Sequence, residues 1–119
     1  MFAMPAEWEP HARTWMAWPC RAEVWGDALP ETKRAYAGVA QAIARFEPVS
    51  MLVPPGQEDD ARNHLGCGIE LVPMEIDDSW ARDSGPCFLS DGRSLRALCF
   101  RFNGWGEKYR PYDLSLIHI

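Results

Sequence analysis

The sequence has no apolar run approaching the ~20 residues that a helix needs to cross a bilayer, so no membrane span is read from it. It has no basic excess either. Lys and Arg total 12 against 17 Asp and Glu, a net charge of −5, which speaks against nucleic-acid binding, where a basic face is the rule. No C-x-x-C pair occurs. The four cysteines, Cys20, Cys67, Cys87 and Cys99, stand apart, so neither a zinc site nor a disulfide framework is expected, and reduced, mostly buried thiols are. The opening Met1 to Pro10 carries Glu and Pro where a signal peptide would have a basic start and an apolar stretch, and a cytoplasmic protein is the expectation. Low-complexity segments, linkers and repeats are lacking, so the 119 residues read as one unit.

What is present is a globular composition, 47% hydrophobic and 24% charged, with six tryptophans in a short chain. Trp8, Trp15, Trp18 and Trp25 crowd the start, while Trp80 and Trp105 sit in the two most distinctive segments. Tryptophan packs cores, and it also builds flat walls against cations. An acidic chain suits a small cationic substrate, since acidic clefts attract cations.

Periodicity orders the elements. Arg13 to Trp18 reads as a short buried strand closed by Pro19. From Pro30 to Phe46 the spacing of Tyr36, Val39, Ala40, Ile43 and Phe46 is helical, with Lys33, Arg34, Gln41 and Arg45 on the other face. Val49 to Val53 predicts a strand, about Gln57 to Leu65 a helix ended by Gly66, and Ile69 to Val72 a strand. Pro86 to Leu89 and Leu95 to Phe102 predict a hairpin turning at Asp91-Gly92. The alternation implies an α/β fold with a largely covered sheet.

Asp77 to Pro86, DDSWARDSGP, concentrates the chemistry. It packs acids, an arginine and a tryptophan between a strand and a Gly-Pro turn, the kind of loop on which sites are built. Asp83 can accept two parallel N–H bonds from a guanidinium, with Trp80 as the wall beside it. The plainer reading is a solvated turn in which Arg82 pairs with a nearby acid.

Three segments resemble one family. DDSWARDSGP is similar to the W-x-R-D-x-G-P motif of the agmatine deiminases and related bacterial peptidyl-arginine deiminases. MPAEWEPHARTWMAWP, Met4 to Pro19, resembles their opening, and FNGWGEKY, Phe102 to Tyr109, resembles their F-N-x-W-G-x-K-Y loop. The resemblance implies a pentein fold, a five-bladed pseudo-symmetric α/β propeller of ββαβ modules, of which residues 1–113 would be the N-terminal part. It implies hydrolysis of a guanidine to a urea and ammonia by a cysteine thiolate with help from a histidine, with no metal or organic cofactor. Asp83 matches the guanidinium-binding aspartate and Trp80 the tryptophan beside it; Trp105 is the third expected substrate-binding residue.

The departures are as informative. The family's nucleophile lies in a late segment resembling Gly-Gly-Asn-Ile-His-Cys and its catalytic histidine in mid-chain; neither segment is in this sequence. No catalytic residue is therefore expected among these residues: the four cysteines match no nucleophile position, and His11, His64 and His118 do not match the histidine. The sequence is expected to be part of a longer enzyme. The closing LSLIHI, residues 114–119, reads as a non-native or unstructured tail, with a genuine terminal strand as the alternative. Peptidyl-arginine deiminases hold the substrate carboxylate with arginines in the loop that here reads Asn103 to Glu107, without arginine. An aromatic residue and an acid there suit an amine, which favours agmatine and a place in putrescine and polyamine metabolism. The alternatives are a peptidyl-arginine deiminase or a non-catalytic fragment that binds a guanidinium or a partner. A homo-oligomer is compatible with the full-length form.

Overall fold

The computed structural model describes residues 1–100 and 102–107. Tyr109, His118 and the whole expected tail at 114–119 lie outside the described residues. Two compact units are formed where the sequence reads as one: His11–Ser79, and Met1–Pro10 together with the chain from Trp80 onward.

The first unit is a three-stranded parallel sheet with helices. Its strands are β1 (Thr14–Ala17), β2 (Val49–Val53) and β3 (Glu70–Pro73), in the order β1-β2-β3. Thr14 lies opposite Val49, and Ser50 opposite Glu70. Five consecutive buried residues make β2 the central strand, covered on both faces as parallel strands usually are. Alternation sorts its side chains. Val49, Met51 and Val53 join a core with Trp18, Ala40 and Leu65. Ser50 turns the other way, where its hydroxyl donates to Glu70 at 2.7 Å and Arg13 bonds to both. Each fully buried large apolar side chain here stabilises the fold by about 1.5–3 kcal/mol.

Helix α1 (Ala22–Trp25) and the 3₁₀ turn Gly26–Ala28 follow β1 and were not expected, because a single turn has no readable period. Helix α2 (Leu29–Ile43) starts as predicted, with Pro30 in its first positions and Glu31 favourable to the positive end of the dipole. Its buried stripe differs from the expected one. Ala37 and Ala40 face the core with Tyr36 and Ile43 beside them, while Val39 and Phe46 are exposed. The helix stops at Ile43, and Phe46 is carried by a turn, its N–H on the Ile43 carbonyl at 2.8 Å.

Helix α3 (Glu58–Leu65) packs beside α2. The polar face of α2 is used rather than merely wetted: Lys33 reaches Asp60 at 2.7 Å and Gln41 donates to the His64 carbonyl at 3.1 Å. The buried Trp18 indole also donates to Asp60, at 3.2 Å, so one carboxylate ties β1's end to both helices.

The second unit holds the one-turn helix α4 (Ala81–Ser84) and the antiparallel hairpin β4 (Cys87–Ser90) and β5 (Leu95–Leu98). The turn closes as expected near Asp91-Gly92; Gly92 has φ 83°, and the Asp91 carboxylate accepts the N–H groups of Arg93 and Ser94. Strand β5 ends at Leu98, short of the expected Phe102. Leu98 pairs with Cys87, and the residue before Cys87 is Pro86, which has no N–H to extend the ladder. Ala3 and Ser90 exchange two backbone bonds of 2.9 Å, which lays the opening residues along β4.

Candidate functional site

Within the second unit, α4 positions two of the expected site residues. Trp80 precedes the turn, and its carbonyl collects the Asp83 and Ser84 N–H groups, both at 3.2 Å, and the Ser84 hydroxyl at 2.9 Å. Gly85 closes it by donating to the Ala81 carbonyl at 2.8 Å. A Cβ on Gly85 would meet that oxygen at 2.4 Å, so this approach is open to glycine alone. One turn thus carries Trp80 and Asp83 together, followed directly by Pro86, which cannot prolong it.

Asp83 is exposed, and among the described residues its side chain makes no hydrogen bond or ion pair. A carboxylate in that state can accept a forked pair of N–H bonds from a planar cation. Arg82 does not compete for it. Its guanidinium turns to Glu7, at 2.8 and 2.9 Å, so the acid it pairs with comes from the opening residues rather than from its neighbours.

Trp105 comes to the same place from the other side of the hairpin. Its ring lies 5.8 Å from Trp80 with an interplanar angle of 86°, and 4.9 Å from Phe102 at 87°. The stretch Gly104–Glu107 is not a right-handed helix: Gly104, Trp105 and Gly106 have φ of 60°, 55° and 79°. The Gly106 N–H is held by the Asn103 side-chain oxygen at 3.0 Å. Phe102 and Asn103 belong to the loop that the sequence marks, but neither is given a site role there; an Asx residue ahead of a Gly-rich turn is the signal for Asn103.

The residues leading to the motif belong to the first unit. Asp78 is buried, and its carboxylate accepts the Trp25 indole N–H at 3.0 and 3.2 Å and the Cys20 backbone N–H at 3.2 Å. The Cys20 thiol donates to the Asp77 carbonyl at 3.6 Å. Burial, followed by the charge of Asp78, pushes its pKa up to about 11, so it stays protonated at neutral pH and has the character of a packed thiol. Cys87 is half-buried at the start of β4. Cys67 and Cys99 are exposed, against the expectation of buried thiols; Cys67 lies in the Gly66–Gly68 turn and Cys99 follows the exposed strand β5.

His11 faces the Glu47 carboxylate at 3.2 Å, and His64 packs its ring 5.6 Å from Trp18. Both have structural partners. Among the described residues no three His, Cys, Asp or Glu side chains converge as a metal ion would require.

A turn presenting Trp80 and Asp83, with Trp105 set against it, occurs in a chain whose residues 3–116 match the model of the Porphyromonas-type peptidyl-arginine deiminases. The chain belongs to this family. A protein of Streptomyces avermitilis, provisionally named agmatine deiminase, is 53% identical over 90% of this chain and 32% of its own length. The agmatine deiminase of Pseudomonas aeruginosa is 47% identical over 88% of this chain and 29% of its own. The solved agmatine deiminase of Enterococcus faecalis superposes with a TM-score of 0.76 at 35% identity, over 81% of this chain and 27% of that one. The chain spans about a third of the length of the curated relatives it matches.

Proposed function

We propose that the full-length protein is an agmatine deiminase, hydrolysing agmatine to N-carbamoylputrescine and ammonia in the cytoplasm, as a step in putrescine and polyamine metabolism. Residues 1–113 form the N-terminal part of its pentein domain, and the nucleophilic cysteine and catalytic histidine lie elsewhere in that protein. The thiolate adds to the guanidinium carbon, ammonia leaves with a proton from the histidine, and water releases the product and the thiol. The part of these residues is to hold the substrate: Asp83 takes the guanidinium N–H groups, Trp80 walls the cation, and Trp105 serves its other end.

The observation that carries this reading is the exposed Asp83 carboxylate, unpaired among the described residues and one turn from Trp80. The names of the relatives support agmatine as substrate. So does the loop at Asn103 to Glu107, where an indole and an acid favour an amine over a carboxylate.

Asp83→Asn in the full-length protein keeps the shape and removes the charge. A charged hydrogen bond contributes about 1.5–3 kcal/mol, so kcat/KM for agmatine falls on the order of 10- to 100-fold. An unchanged kcat/KM refutes the role of Asp83, and a wild-type protein that releases no ammonia from agmatine refutes the activity.

A further inference from the structure

Of the acids in the motif from Asp77 to Asp83, the deiminase reading gives a task to Asp83 alone. Asp78 is buried, which a carboxylate tolerates only when hydrogen bonds replace its water. Those bonds come from one short stretch of chain. The Trp25 indole N–H reaches both carboxylate oxygens, at 3.0 and 3.2 Å, and the Cys20 backbone N–H donates to one of them at 3.2 Å. The Cys20 thiol adds a weak bond to the Asp77 carbonyl at 3.6 Å. The donating stretch is itself fixed at both ends. Trp18 is fully buried with its backbone N–H on the Leu52 carbonyl at 2.9 Å, and the Trp25 backbone N–H closes α1 on the Arg21 carbonyl at 3.1 Å.

Ser79 is buried too, but its hydroxyl makes no hydrogen bond among the described residues. Asp78 is thus the last residue held by its side chain before Trp80, whose carbonyl organises the turn that carries Asp83. The turn needs such a hold. A single helical turn fixes several dihedral angles for very few hydrogen bonds and does not stand on its own. The Arg82–Glu7 pair ties α4 through two exposed side chains, a kind of contact that contributes little. Bonds to a buried carboxylate are stronger and more directional.

We propose that Trp25 is a positioning residue of the substrate-binding turn: through its hydrogen bond to Asp78 it sets the point from which the chain runs into Trp80 and Asp83. The role rests on the deiminase reading and extends it to a residue outside the motif. Trp25 acts through Asp78 and not on the substrate. Without its bond α4 shifts, and Asp83 meets the guanidinium out of line. Trp80 and Asp83 hold the cation both before and during reaction, so the cost falls on KM rather than on kcat.

Two substitutions in the full-length protein separate the hydrogen bond from the bulk of the ring. Trp25→Phe keeps an aromatic ring and loses the N–H. Trp25→His is smaller, but its Nε2 lies the same number of bonds from Cβ as the indole nitrogen and can donate. With agmatine as substrate, Trp25→Phe raises KM about tenfold and leaves kcat within about twofold of wild type, whereas Trp25→His keeps KM within about threefold. In an Asp83→Asn background Trp25→Phe adds less than about threefold, because both changes act on one interaction. Asp60→Asn weakens the same unit away from Asp78 and leaves KM unchanged. A KM that follows ring size, with Phe better than His, makes Trp25 a packing residue and overturns the inference. So does an unchanged KM in Trp25→Phe, an undiminished effect in the Asp83→Asn background, or an equal rise in Asp60→Asn. Each of these leaves the deiminase reading standing. A wild-type protein that releases no ammonia from agmatine removes that reading, and this inference with it.

Discussion

The indole N–H of Trp25 reaches both carboxylate oxygens of Asp78, at 3.2 and 3.0 Å, and the Cys20 backbone N–H adds a third bond to the same group. A buried carboxylate so supplied is stabilising only while its donors remain. Asp78→Ala removes the acceptor of both donors and lowers stability by about 1–3 kcal/mol, read from chemical denaturation. Trp25→Phe costs less, because the Cys20 bond survives. A variant as stable as wild type at position 78 would show that the network contributes nothing.

Thiol reactivity separates the cysteines. With Cys20 held near pKa 11, its thiolate is scarce at neutral pH, whereas Cys67 and Cys99 are exposed. Alkylation at pH 7 followed by peptide mass mapping is expected to label the exposed Cys67 and Cys99 first and Cys20 after them. Comparable rates for the three would mean that Cys20 is not packed as described.

Asp60 gives the fold an acid dependence. Burial works to raise its pKa, but the hydrogen bonds from Lys33 and Trp18 outweigh that and leave it below the ordinary 3.8. A depressed folded-state pKa means that the stabilisation is present above the unfolded value and is lost as pH falls through the folded one. Unfolding midpoints are therefore expected to drop below about pH 4, the ordinary aspartate range. Asp60→Asn lowers stability at pH 7 and flattens the dependence below pH 4. An unchanged acid slope in that variant assigns the dependence elsewhere.

The parts of the fold legible in the sequence were those with a period or a run. Val49–Val53 matched its prediction to the residue, because five apolar or small residues in succession fit a strand covered on both faces. Helices α1 and α4 were missed because four residues show no period. In the site, Trp80 and Asp83 could be named from the motif. The Trp25–Asp78 bond, between residues 53 apart in the chain, could not, since only the folded parallel sheet region brings them together. Gly104 and Gly106 announced a tight turn, but not that Trp105 itself would be left-handed, which contradicts the local preference of a large side chain.

The pairing of Ala3 with Ser90 has a consequence for synthesis. The unit His11–Ser79 is continuous, so every residue of its sheet and core has left the ribosome once Ser79 has emerged, and it can collapse at once. Residues 1–10 are made before that unit, yet Ala3 finds its strand partner only after Ser90 appears. Order of translation and order of assembly are thus reversed for this stretch, and its exposed Trp8 waits in water while the middle of the chain folds.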